Sequence, residues 1–314
     1  MPSVPQLVLF DFDLGGHHGS YIQHLITYWQ KHNFPGCLQI VVRPEFFQIH
    51  TDPVRLAACD QRSNVKFTAI TQTEANRIDQ GQSRWERFVG NFRRWQLFRK
   101  YATELAATHA LFLYFDRCQL PLALGARSPC PFSGIYFRPT FHYEAFPAFD
   151  PSWYHPMQLI KERMILNQVL KHPQLKTLFC LDPFAIQNLQ QMSRSVKVTH
   201  LPDPVSLPNQ ADLNSEQLRK RLAIQPHRQI FLLFGALDER KGIDQVLRAI
   251  AQLPNELCDK LCLLLAGGTH PKEQDRIRTQ INETCAKKPV QIVTEYQFIP
   301  EAEVLSYFHL AEGV

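Results

Sequence analysis

Short apolar runs alternate with segments whose apolar residues recur every three or four positions, and the alternation persists through most of the 314 residues. Such runs predict buried parallel strands, and the patterns between them predict crossover helices. The first unit is QLVLFDFD (6–13), a glycine-rich turn LGGHHG (14–19) and a helical stretch over 20–32 with apolar residues at 21, 22, 25, 26 and 29 on one face. Further strands are expected at 38–42, 65–70, 110–115, 133–138 and 177–181. Pro202, Pro204 and Pro208 then fall close together in polar sequence, which reads as a linker. A second series follows, with strands at 229–237, 261–268 and 290–296 and helices at 241–253, 270–286 and 300–309. The expectation is an α/β chain of two Rossmann-like domains, 1–203 and 204–314, that share one plan of strand, glycine turn and helix. The closing letters HLAEGV read as the approach to a fourth strand. A parallel sheet stopped there leaves an unpaired edge, so the second domain is expected to be incomplete and the chain truncated.

Composition narrows the class only slightly. Apolar residues make up 45% and charged residues 20%, as in a folded globular protein. No basic leader precedes the first apolar run, and Asp11 and Asp13 interrupt it, so neither a signal peptide nor a membrane span is expected and the protein is placed in the cytoplasm. The eight cysteines form no C-x-x-C pair and several lie inside apolar runs, which predicts buried free thiols rather than disulfides or a zinc site.

Charge changes the picture more. Residues 84–101, RWERFVGNFRRWQLFRKY, carry six basic and one acidic side chain, while the remaining 28 basic and 28 acidic residues cancel. The whole net charge of +5 therefore sits in one segment. Its aromatic residues recur at spacings of three and four. One reading is a helix docking peripherally on the anionic inner surface of a membrane. The other is an ordinary helix whose aromatic stripe is core and whose arginines are solvated. No nucleic-acid motif accompanies the segment, so nucleic acid is not an expected partner.

Candidate chemistry collects at the carboxyl ends of the expected strands. In FGALDERKGI, Gly235 lets backbone approach a ligand closely, while Arg240 and Lys241 stand where a helix N-terminus already favours an anion. Two cations there suit a diphosphate leaving group without a metal; a solvated turn ending a strand is the competing reading. In LGGHHG, Gly15 and Gly16 permit a tight turn, but the spacing is not that of a dinucleotide fingerprint. His17 and His18 are adjacent on this turn, a poor arrangement for one metal ion, and are read as hydrogen-bonding a substrate. IYFRPTFHY delivers Arg138 and His142 to a loop at the strand edge, and Asp116 ends LFLYFD in the same position. A histidine so placed can bond a sugar hydroxyl or a developing charge, although it can equally be a packed side chain.

Seven motifs in order, GGHHGSYIQHL, RPTFHY, LFCLDPFAIQNL, VTHLPDPV, LFGALDERKGIDQVLRAIAQLP, LLLAGG and YQFIPEAEVLSYFHLAEGV, resemble those of retaining GT-B glycosyltransferases that use nucleotide sugars. The resemblance implies the GT-B fold, an acceptor side in the first domain and a nucleotide-sugar donor held mainly by the second. It implies an enzyme that moves a sugar to a glycan, lipid or small-molecule acceptor with retention and with no metal or other cofactor. Gly15, Gly16, Gly235, Arg240, Lys241 and Gly267 would then bind the donor, with Lys241 neutralising the diphosphate. His142 and Asp116 would be catalytic, and His17, His18 and Arg138 would face the acceptor. Two departures stand out. Ala236 occupies the place where the family pattern G-R-L-x-x-x-K-G has arginine, and the paired acidic motif and terminal helix of the family would lie beyond Val314. The alternative reading is therefore a catalytically inactive product or binding module of the same fold.

Overall fold

The computed structural model describes residues 4–15, 18–59, 64–79, 83–145, 156–193, 195–204, 215–238 and 241–314. The chain divides into two compact units, Met1–Pro204 and Val205–Val314.

The first unit runs β1 (Gln6–Asp11), α1 (His18–Lys31), β2 (Cys37–Val42), α2 (Phe46–Ile49), α3 (Thr51–Cys59), β3 (Val65–Ala69), α4 (Gln72–Asp79), α5 (Arg84–Glu104), β4 (His109–Phe112), α6 (Gln119–Ala123), β5 (Phe132–Tyr136), α7 (Pro156–Val169), β6 (Leu175–Cys180), α8 (Ala185–Met192) and β7 (Lys197–His200). Its seven strands form one parallel sheet in the order β3-β2-β1-β4-β5-β6-β7. The order reverses between β1 and β4, and the crevice at the carboxyl ends of such a pair is where open α/β sheets bind ligands.

Period-two alternation sends Val8 and Phe10 to one face of the sheet and Leu9 to the other. On the first face, Phe98, Tyr101 and Ala102 of α5 complete a core with Phe112 and Phe132. On the second, Ile22, Ile26 and Trp29 of α1 pack against Leu38 and Ile40 of β2. Helix α5 begins at a reciprocal capping box between Ser83 and Glu86. Its aromatic stripe is divided: Trp95 and Phe98 are core, whereas Trp85 is 69% exposed.

The second unit runs α9 (Ser215–Arg221), β8 (Gln229–Phe234), α10 (Ile243–Gln252), α11 (Asn255–Cys258), β9 (Leu261–Ala266), α12 (Pro271–Cys285), β10 (Gln291–Glu295) and α13 (Glu301–Leu310). Its parallel sheet has the order β10-β9-β8. Beyond α13, Gly313 forms a parallel bridge to Phe231 on the free side of β8, with Leu232 N–H donating to its carbonyl at 2.8 Å. The closing residues thus take the place of a fourth neighbour in the sheet.

Strands stop earlier at their carboxyl ends than the apolar runs predict. β1 ends at Asp11, whose carboxylate takes the N–H of Asp13 at 3.2 Å, and β5 ends at Tyr136 because the next two N–H groups turn to Asp116. The segment read as linker from 200 onward is preceded by β7, which the sequence reading did not anticipate. All eight cysteines are free, but Cys59 and Cys285 are exposed rather than buried. Among the described residues no helix is long and apolar enough to cross a membrane.

Candidate functional site

In the first unit the candidate residues gather beyond the carboxyl ends of β1, β4 and β5. His18 opens α1, and its Nδ1 lies 2.8 Å from both carboxylate oxygens of Asp11, the last residue of β1. Phe137 stacks parallel to the imidazole at 6.3 Å, and Tyr114 lies at 5.6 Å. Burial pushes Asp11 up, against the pull of His18. For His18 burial pushes down, but the bond and charge of Asp11 outweigh it and the net direction is up. The pair is a carboxylate-oriented imidazole, the arrangement that fixes which ring nitrogen faces a ligand.

Asp13 extends the cluster. Its carboxylate pairs with the half-exposed Arg117 at 3.0 Å and the buried Arg94 at 3.4 Å. A cavity of about 10 Å³, the size of one water, lies among Asp11, Asp13, Arg94, Tyr114 and Arg117. Tyr21 on α1 donates to Asp203, which ties the segment after β7 to the same edge.

The turn after β5 carries the other candidates. Asp116 spends both oxygens on backbone, accepting the N–H of Phe137 and of Arg138 at 3.0 Å each. Burial pushes its carboxyl up to about 6 despite those bonds. Asp116 is therefore a bracket between the ends of β4 and β5 more than a group aimed at a ligand. Arg138 is exposed, and His142 is buried on the 3₁₀ turn Thr140–Ala145, its Nε2 3.0 Å from Asp182 beyond β6.

In the second unit three strand ends are laced together at their carboxyl side. Gly235 N–H donates to Ala266 and Gly267 N–H to Glu295, each at 3.0 Å, and Leu237 N–H donates to Gly268 at 2.9 Å. Gly267 has φ of +145°, and a Cβ on it would stand 1.9 Å from the carbonyl oxygen of Gly235. Only glycine fits that approach. Lys241 is exposed, yet its Nζ folds back to within 3.3 Å of where a Cβ on Gly235 would be. Gly242, at φ +67°, then leads into α10.

The structure thus brings His18, Asp116, Arg138 and His142 to one edge of the first sheet, and Gly235, Lys241 and Gly267 to one edge of the second. Gly15 is exposed at the start of the glycine turn; Gly16, His17 and Arg240 lie outside the described residues. Sequence reasoning missed Asp11, Asp13, Tyr114, Arg117 and Asp182. Two acidic residues closing a strand immediately before a glycine turn were the available signal for the first pair. Among the described residues no group of three or more His, Cys, Asp or Glu side chains could hold a metal ion.

The chain has the fold of the GT-B glycosyltransferases. Residues 214–312 match the family described as Glycosyl transferases group 1. Sucrose-phosphate synthase from Thermosynechococcus elongatus superposes with a TM-score of 0.67 at 16% identity, over 98% of this chain and 74% of that one. An α,α-trehalose-phosphate synthase (UDP-forming) from Burkholderia xenovorans, in complex with glucose-6-phosphate, superposes with a TM-score of 0.63 at 11% identity, over 98% and 78%. A structure from E. coli described as trehalose-6-phosphate bound with UDP-2-fluoro glucose gives 0.59 at 11%, over 98% and 76%. No curated protein sequence matches the chain.

Proposed function

We propose that this chain is a nucleotide-sugar-dependent glycosyltransferase that moves a sugar, with retention, to a glycan, lipid or small-molecule acceptor in the cytoplasm. The observation that carries the reading is Lys241 folded over Gly235 beside the close Gly235–Gly267 contact, inside the residues that match the group 1 family. A glycine-lined strand edge with one lysine above it can accept a diphosphate and neutralise it as it leaves, which is the electrostatic task of the reaction. The structure similar in fold that is bound with UDP-2-fluoro glucose supports a nucleotide-sugar donor. On this reading His142, oriented by Asp182, attends the transferred sugar. His18, oriented by Asp11, and Arg138 attend the acceptor, while Gly15, Gly16 and Arg240 add to the donor side. No metal enters the scheme, because Lys241 supplies the charge a metal would otherwise supply.

Calorimetry with UDP, GDP and ADP tests this: one should bind in the micromolar-to-millimolar range common for substrates, and transfer should survive EDTA. No heat with any of the three would sink the proposal. Ala236, in the place where the family pattern has arginine, favours the inactive binding module as the second reading. Binding without turnover over a panel of donors and acceptors would select it.

A membrane contact is a separate proposal resting on α5. The exposed Trp85 stacks on Phe88 at 5.2 Å, and Phe88 meets Phe92 at 5.1 Å, while the rest of the stripe is core. The first turns of α5 present this ladder, within the segment that holds all the excess charge, to an anionic lipid surface. Co-sedimentation with anionic vesicles that weakens with salt and with Trp85→Ala is expected; binding indifferent to both removes the contact.

A further inference from the structure

Residues 136–141 run from the end of β5 into the turn that carries His142, and two carboxylates from distant parts of the chain take four of the donors along them. Asp116 takes the N–H groups of Phe137 and Arg138. Glu162, on α7, takes the hydroxyl of Tyr136 with one oxygen and the hydroxyl of Thr140 with the other. The backbone N–H of Thr140 donates within the turn itself, to the Arg138 carbonyl at 2.8 Å. One side chain thus gathers the last residue of a strand and the first turn of the 3₁₀ helix, two residues before His142.

We infer that Glu162 is a positioning residue for His142, and that it sets where the imidazole stands at the strand edge. The inference rests on the function proposed above. Asp182 fixes the rotation of the ring through Nε2, but it cannot fix the backbone from which the ring projects. That backbone is short, contains Pro139, and has local turn bonds from Thr140 N–H to Arg138 and from His142 N–H to Pro139, so its place relative to the sheet and α7 is set by the side-chain acceptors. Glu162 supplies the acceptor at the His142 end and Asp116 the one at the strand end.

Burial pushes Glu162 up from the ordinary carboxylate range, against the pull of Thr140 and Tyr136. Its holding power therefore belongs to the ionised form, which accepts from every donor around it, and fades on protonation. The other titratable groups in this neighbourhood are Tyr136, Asp116 and Cys180, with Asp182 on the imidazole itself. A displacement of a catalytic group by about 1 Å can cost on the order of a hundredfold in rate, so an indirect role of this kind is measurable.

The test uses the full chain as wild type, Glu162→Gln, Thr140→Val and Thr140→Ser. Glutamine puts an amide donor against donors, valine deletes one hydroxyl while keeping shape, and serine restores it. With transfer measured against donor concentration, kcat should fall about tenfold or more in Glu162→Gln and Thr140→Val. Donor KM should move less than about twofold, and Thr140→Ser should recover the rate. In parallel, the His142 imidazole resonance, assigned by its loss in His142→Gln, should shift in the first two variants. Both variants act on the turn's backbone rather than on the ring. The resonance needs no turnover, so an inactive wild type would refute the proposed reaction while the spectra still decide the role of Glu162. If Glu162→Gln fails to fold, Thr140→Val carries the same comparison. Folded variants with an unmoved His142 signal and unchanged kcat overturn the inference.

Discussion

Lys241 lies folded over Gly235, its Nζ 3.3 Å from the point where a side chain at 235 would begin. The lysine is exposed, so a cation held there remains available to a ligand that enters over the glycine. Removal by Lys241→Ala should weaken nucleoside-diphosphate binding about tenfold or more, in line with the roughly 1.5–3 kcal/mol of a charged hydrogen bond. Gly235→Ala should do the same by displacing the lysine, because its methyl group would occupy the contact and its φ of +107° disfavours a side chain. Titration calorimetry on the two variants checks this, and unchanged affinity in both would remove the diphosphate from this edge.

Neighbouring glycines in LLLAGG should behave in opposite ways. Gly267→Ala puts a Cβ 1.9 Å from the Gly235 carbonyl oxygen at a φ of +145°, whereas a Cβ on Gly268 meets nothing within 4 Å. The backbone of the strand edge must shift to accept the first, so a loss of stability of about 3 kcal/mol or more is expected, together with loss of donor binding. Gly268→Ala should melt within a degree or two of wild type. Thermal melts of the two variants side by side suffice, and equal melting temperatures would mean that the strand ends do not approach as described.

Much of this architecture was legible from the alternation of apolar runs, because a parallel strand buried on both faces must be apolar along its length. The exceptions have physical causes. β7 escaped notice because Val198 is the one buried residue of Lys197–His200 and the strand is short. Strand ends were overextended because β1 and β5 stop where Asp11 and Asp116 capture backbone N–H groups, and the latter capture spans more than twenty positions. The aromatic segment 84–101 reads two ways from spacing alone, because the partner that buries Arg94 is Asp13, 81 positions earlier, and because Trp95 and Phe98 are core while Trp85 is exposed. His142 and Lys241 were visible as residue types at strand edges. Asp182 and Glu162, which hold the His142 turn, sit in helix approaches and helices with no local mark.

The Asp11–His18 pair makes a signed prediction. Burial alone would push His18 below its ordinary 6.5, and the Asp11 bond and charge reverse this. Asp11→Asn should therefore carry the His18 titration from above 6.5 to below it, as read from its imidazole resonance. Because the fold holds the His18 proton more tightly than the unfolded chain, the stabilisation is complete below the unfolded value. It is lost as pH rises through the folded one. Wild type should thus lose stability relative to Asp11→Asn as pH climbs above about 6.5. A titration that Asp11→Asn leaves in place would show that Asp11 does not govern the imidazole.

Asp116 should leave its mark on stability from the acid side. Burial raises its carboxyl from an ordinary 3.8 to about 6, and the N–H groups of Phe137 and Arg138 only partly oppose the shift. The folded chain therefore binds a proton between those two values that the unfolded chain has released, and wild type becomes less stable as pH rises from about 4 to about 6. The span corresponds to roughly 3 kcal/mol at full effect. Asp116→Asn removes the titration and with it this pH-dependent contribution. The gap between the two melting curves should widen in favour of wild type as pH is lowered from 7 to 4, then stay constant below it. A gap independent of pH across that range would mean that the carboxylate is hydrated, and that the turn between β5 and His142 is held at its strand end by something other than Asp116.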